Sequence, residues 1–190
     1  MKVIGILGSP CLNGTTAQLL DAVLEGATRQ GASAERMNLA ELDIHPCFEC
    51  KECDSGTGCT HANDDMRAVY AKIREVDAIA IASPIFFMGV TAQTKAMIDR
   101  CQCFWVERFV KKHRAYEGRR RPKGLFVSCA GGSNPIVFEP ATHVVKAFFS
   151  AIDYEYVGEV LLANTDDPDL GPRKDVALQR AREAGALLCR

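Results

Sequence analysis

The chain of 190 residues has no apolar run approaching the length of a membrane span. Its start, MKVIGILGSP, carries one basic residue and too short an apolar stretch for a secretory signal. It has no excess of one charge: 23 Lys+Arg against 24 Asp+Glu leave a formal net charge of −1. No global field therefore favours nucleic acid or an anionic membrane surface. There is no G-x-G-x-x-G, no Gly-Lys-Ser/Thr ending of a nucleotide P-loop and no H-E-x-x-H. With no lysine to reach a γ-phosphate, nucleotide hydrolysis is not expected, and the four histidines show no metal-ligand pattern. Internal repeats, low-complexity tracts and linkers are also lacking, which predicts one domain over 1–190 with an insertion at about 40–63.

What the chain does have is cysteine: nine residues, an odd count. In a sequence without an export signal, this argues against a disulfide framework. It predicts a reducing, cytoplasmic setting in which thiols ligate metal or do redox work. Four of them, Cys47, Cys50, Cys53 and Cys59, stand at C-x2-C-x2-C-x5-C spacing in HPCFECKECDSGTGCTHANDD. Three thiols three residues apart in a tight loop can converge on one inorganic core, and a Gly56–Gly58 turn can bring the fourth. Compact all-cysteine sets are the ligands of iron–sulfur clusters. Tetrahedral zinc more often uses two separated C-x2-C pairs. A zinc-stapled loop and metal-free thiols stay open as alternatives on the spacing alone. Cys101, Cys103, Cys129 and Cys189 are too scattered in sequence to form a second site and are expected as buried thiols.

Short β-branched apolar runs at 2–8, 34–39, 78–83, 123–129 and 154–163 alternate with helical patterns from 15, from 64, over 91–112, over 136–151 and over 173–189. Pro140 is expected to break the fourth helix near its start, and Gly158 to mark a bulge. Alternating strands and helices predict an α/β fold: a flavodoxin-like, doubly wound, five-stranded parallel sheet of order 2-1-3-4-5. Ligands of such sheets sit outside the carboxyl ends of the strands, at the switch between strands 1 and 3. GSPCLNGTT follows strand 1 and runs into a helix N-terminus. Its free amides and the hydroxyls of Ser9, Thr15 and Thr16 suit a single phosphate; a plain capped helix, with Asn13 or Thr15 as the cap, competes. SPIFFMG follows strand 3, offering a rigid proline and two aromatics for a flat ring or for the core. AGGS follows strand 4. The cysteine loop follows strand 2, beside strand 1, and is expected on the same edge.

Three stretches carry a resemblance: Gly8-Ser9-Pro10 with Gly14-Thr15-Thr16, SPIFFMGVTAQTKAMIDR, and the four-cysteine loop followed by DDM. Together they resemble the NADPH-dependent FMN reductase superfamily and, within it, the iron–sulfur flavoproteins. The resemblance implies FMN, with its phosphate on Ser9, Asn13, Gly14, Thr15 and Thr16. It implies the ring against Pro84, Ile85, Phe86, Phe87 and Gly89 and the Gly131–Gly132 turn. It also implies a [4Fe–4S] cluster on Cys47, Cys50, Cys53 and Cys59, and assembly as a homodimer or homotetramer. One departure is Cys11, where relatives often carry an arginine that would contact the phosphate. The reading is an FMN-dependent oxidoreductase moving electrons between a one-electron carrier and a two-electron acceptor. Candidate partners are a ferredoxin-like carrier, a quinone or NAD(P)H, with neither nucleic acid nor membrane. No side chain is nominated as nucleophile or general base, because the cofactors carry the reaction. A cluster-free NAD(P)H-dependent FMN or quinone reductase, and a non-enzymatic electron carrier or metal-stapled protein, are the alternatives.

Overall fold

The computed structural model describes residues 1–56, 58–61 and 63–190. Five parallel strands, β1 (Lys2–Leu7), β2 (Ser33–Asn38), β3 (Ala78–Pro84), β4 (Lys123–Cys129) and β5 (Glu155–Leu162), lie in the order β2-β1-β3-β4-β5. The doubly wound sheet expected from the alternation of patterns is present. Side chains alternate faces along each strand, so each strand splits its apolar residues between two cores. Val3 and Leu7 of β1, and Ala78, Ala80 and Ala82 of β3, face the helices α1 (Thr15–Thr28) and α6 (Leu170–Leu188). Ile4, Ile6, Ile79, Ile81 and Phe126 face the other side. There α2 (Met66–Glu75), α3 (Ala92–Arg100), α4 (Gln102–Trp105) and α5 (Glu139–Ala151) close the layer. Each of these fully buried Ile or Phe side chains contributes about 1.5–3 kcal/mol.

The α1–α6 side is packed backbone against backbone. A Cβ on Gly26 would stand 2.0 Å from the Arg182 carbonyl oxygen, and one on Gly185 1.9 Å from that of Val23. Glycine at both crossings lets the helices meet.

Two expectations need correction. The helix expected over 91–112 is interrupted at Cys101, resumes as α4 and widens into a π turn at Val106–Val110. The Tyr70 hydroxyl donates to the Arg100 carbonyl at 2.7 Å, and the Phe104 amide, whose helical acceptor that carbonyl would be, turns to the Cys101 carbonyl at 3.0 Å instead. Pro140 does not break its helix. A 3-10 turn (Pro135–Phe138) leads into α5, and Pro140 falls in the first turn, where its missing N–H costs no helical bond. The bulge at Gly158 is present: Gly124 pairs with Tyr156 and Leu125 with Gly158. Among the described residues no helix is long and apolar enough to cross a membrane.

Candidate functional site

Three loops meet at the carboxyl ends of β1, β3 and β4. Gly8 donates its amide to the Ala82 carbonyl at 2.7 Å. The Gly8 carbonyl accepts from the Thr91 hydroxyl at 2.6 Å, and Thr91 in turn lies 2.9 Å from the Thr94 hydroxyl. The Thr91 amide donates to Ser83 Oγ at 3.0 Å, and Ser128 Oγ to the Ser83 carbonyl at 2.7 Å. All four hydroxyl side chains are buried. This network ties the end of β1 to the loop after β3 and to the start of α3. Gly8 is required by it, since a Cβ there would lie 1.7 Å from Thr94 Oγ1.

The helix that begins after residues 9–14 has no side-chain cap. Gly14 is its N-cap, with extended backbone, and neither Asn13 nor Thr15 fills the capping role. No acidic residue stands in its first turn. The plain capped-helix alternative therefore fails, and the first amides of α1 are left for another acceptor. Ser9 is buried and its Oγ accepts from the Cys11 amide at 3.1 Å, which leaves its proton to be donated. Thr16 is buried and Thr15 half-buried at the same end. Cys11 is exposed; its Sγ is 3.2 Å from where a Gly14 Cβ would stand, so the thiol lies over the turn.

After β3, Phe86 and Gly89 exchange backbone bonds at 3.0 Å each, closing a two-residue turn. The central Phe87 and Met88 both have left-handed φ, 50° and 64°. Two non-glycine residues in that region are strained by about 1–2 kcal/mol apiece. Phe86, Phe87 and Met88 are exposed, while Pro84 and Ile85 are half-buried. The aromatics are thus not core residues. Gly131 and Gly132 follow β4, and here the structure adds a segment that no motif marks. The β5–α6 loop bonds to this turn through Asn164 N to Gly132 O (2.8 Å) and Thr165 N to Ala130 O (3.0 Å). The Asp166 carboxylate stands 2.2 Å from a Gly131 Cβ position. The only signal in the sequence was the turn-forming TDDPD after the fifth strand.

The cysteine loop leaves β2 but does not stay with these three loops. It lies against α3, α4 and the second half of α5, where a cleft of about 800 Å³ is lined by Cys47, Cys50, Cys53 and Cys59. Residues of the 9–14 turn, the 84–89 loop and the 131–132 turn do not line it. Cys101 and Cys103 do, so six thiols border one cleft, contrary to the expectation that these two stand apart. Left-handed backbone at Glu49, Lys51, Gly56 and Gly58 folds the loop around it. Cys47 and Cys50 are exposed, and Cys53 and Cys59 half-buried.

All nine thiols are free. Burial, with Asp54 and the neighbouring Cys59 and Cys50 adding to it, pushes the Cys53 thiol up. Burial and then Cys59 push Cys103 up to about 11. A reactive redox thiol needs the opposite shift, so neither position suits a redox-cycling thiol. Around one tetrahedral zinc, four sulfurs stand about 3.8 Å apart, from Zn–S bonds near 2.3 Å. Among the described residues, three donor atoms within 4.8 Å of one another occur only at Cys50, Glu52 and His61. No three of the four cysteine sulfurs are that close. Four thiols bordering one cleft are the donor chemistry of an iron–sulfur cluster.

The cleft and the strand-end loops are joined by α3. Its N-cap Thr91 touches Gly8, while Lys95, Ile98, Asp99 and Arg100 line the cleft. At 1.5 Å per residue this nine-residue helix spans about 13 Å.

Residues 1–164 match the family model of NADPH-dependent FMN reductases, and the chain belongs to that family. Within it the chain is similar to iron–sulfur flavoproteins. One from Methanocaldococcus jannaschii is 38% identical over 100 residues, 53% of this chain and 51% of that protein. One from Archaeoglobus fulgidus is 37% identical over 100 residues, 53% of this chain and 45% of that protein. The match thus spans about half the length of these curated relatives. A solved NAD(P)H:quinone oxidoreductase from Methanothermobacter marburgensis shares the fold at TM-score 0.72 and 19% identity, over 100% of this chain and 98% of that one.

Proposed function

We propose that the chain is an iron–sulfur flavoprotein that moves electrons between a one-electron carrier and a two-electron acceptor. FMN, when bound, supplies one- and two-electron chemistry, and a [4Fe–4S] cluster supplies one electron at a time. The chain's part is to bind, orient and shield. Ser9, Asn13, Gly14, Thr15 and Thr16 offer amides and hydroxyls to a phosphate at the uncapped end of α1. Pro84, Ile85, Phe86, Phe87 and Gly89 form one wall for the ring, and Gly131 and Gly132, braced by the β5–α6 loop, form its edge. Cys47, Cys50, Cys53 and Cys59 ligate the cluster, while the buried Cys101, Cys103 and Phe104 exclude water from its inner side.

The observation that carries this reading is the common cleft of the four cysteines, placed one short helix away from the Gly8 turn. The Cys53→Ala variant tests it: iron and the broad cluster absorbance are lost and FMN stays bound. Unchanged iron content would show that the ligand assignment is wrong.

A second reading, an NAD(P)H-dependent FMN or quinone reductase without a cluster, draws on the exposure of Cys47 and Cys50 and on the fold shared with the quinone oxidoreductase. Flavin reduction by NAD(P)H in protein that holds no iron would favour it. Either activity suits a homodimer or homotetramer, since Phe86, Phe87 and Trp105 are exposed and open to a subunit contact.

A further inference from the structure

Arg100, the last residue of α3, is 4% exposed. Its Nη1 donates to the His45 carbonyl at 2.9 Å and to Asp64 Oδ2 at 2.6 Å. Its Nη2 donates to the His61 carbonyl at 2.7 Å and to Asp64 Oδ1 at 3.3 Å. His45 lies two residues before Cys47, and His61 two residues after Cys59. One guanidinium therefore grips both ends of the segment that holds all four cysteines. The Asp64 side chain is 2% exposed and accepts in turn from the amides of His45 and Met66, at 3.1 Å each. A guanidinium always carries its charge, and here both of its Nη atoms face the Asp64 carboxylate. Four of its five N–H groups serve this clasp. The fifth, on Nε, is buried and has no hydrogen-bond partner among the described residues, although the guanidinium stands beside Cys59.

We propose that Arg100 is a positioning residue for the cysteine site: it closes the loop before any metal arrives and keeps one unpaired donor for sulfur at Cys59. The inference rests on the cluster reading given above. Closing a flexible loop of this length costs entropy that grows with its length, and the clasp removes that cost from metal uptake. A fixed cation lining the cleft also offsets the repulsion between thiolates that ligate a metal, and an N–H to sulfur is among the levers that set a cluster's potential. Lysine cannot replace the fork, because its donors share one atom and cannot reach two carbonyls and both carboxylate oxygens together.

The test uses the full chain with FMN bound, as wild type, Arg100→Lys, and Arg100→Met combined with Asp64→Leu. The double variant removes both charges, so its fold need not carry an unpaired buried ion. Amide exchange over 46–60 is measured in metal-free protein, followed by iron and acid-labile sulfide per chain after anaerobic treatment with ferrous iron and sulfide. Both variants are expected to exchange these amides at least about tenfold faster than wild type, while FMN stays bound. Reconstituted iron is expected to fall several-fold. Unchanged exchange and unchanged iron in both variants would overturn the proposal. Faster exchange with full iron uptake would overturn its claim on cluster assembly. If wild type itself takes up no iron, the cluster reading fails, and faster exchange in Arg100→Lys would still uphold the clasp.

Discussion

The loops at the strand ends and the cysteine loop hold their shape by opposite means. The first are short and each hangs from a buried strand. Gly8, Ser83, Thr91, Thr94 and Ser128 lock them to one another through bonds inside the sheet's own core. The second is long, mostly exposed, and built on two 3-10 turns, Leu39–Glu41 and Glu52–Ser55, with left-handed residues between cysteines. Its two ends meet at one buried ion pair, between Asp64 just before α2 and Arg100 at the end of α3. The comparison teaches that short loops at strand ends can be fixed locally by the core, whereas a long cysteine loop is closed by a contact between residues far apart in sequence.

The largest effect is expected from breaking the distant hold. Asp64→Ala leaves the Arg100 charge buried and unpaired, which costs about 3–5 kcal/mol. Denaturant unfolding measures the loss, and limited proteolysis should cut first within 45–61. A smaller effect is expected from breaking the local network. Gly8→Ala sets a methyl against Thr94 Oγ1, and overpacking of this kind costs about 1–3 kcal/mol. Titration with FMN should show at least about tenfold weaker binding, equivalent to about 1.4 kcal/mol, while iron uptake is unchanged.

These contrasts also explain what was legible in the sequence. Strand order and the Gly8, Pro84 and Gly131 loops followed from short-range signals: β-branched runs, turn residues and a helix start. The cysteine spacing was equally plain. The Arg100–Asp64 clasp was not, because nothing in the 35 intervening residues marks that the two side chains meet inside the protein. Cys101 and Cys103 escape notice for the same reason, since sequence distance hides that the residues just after α3 line the cleft. The break in the third helix comes from the Tyr70 hydroxyl, a contact from another element.

Two smaller effects sharpen the comparison. Met88→Gly relieves one left-handed side chain and should stabilise the fold by less than about 1 kcal/mol in urea unfolding. The same change should weaken FMN binding if the turn is a wall of the ring site. The last concerns acid. Burial pushes the Asp64 carboxyl up, but its bonds from Arg100 and from the His45 and Met66 amides together hold it below its ordinary 3.8. Its contribution is therefore present above pH 3.8 and is lost as pH falls through the lower folded value. Amide exchange in metal-free protein should show loop 46–60 opening in that acid range, and Asp64→Asn should abolish the step.

The most direct test of the two-site arrangement is the ratio of iron and acid-labile sulfide to FMN in anaerobically purified protein, with zinc assayed alongside. The arrangement predicts about four iron and four sulfide per FMN, with absorbance that bleaches on reduction. Full flavin with no iron, or zinc in place of both, would contradict it.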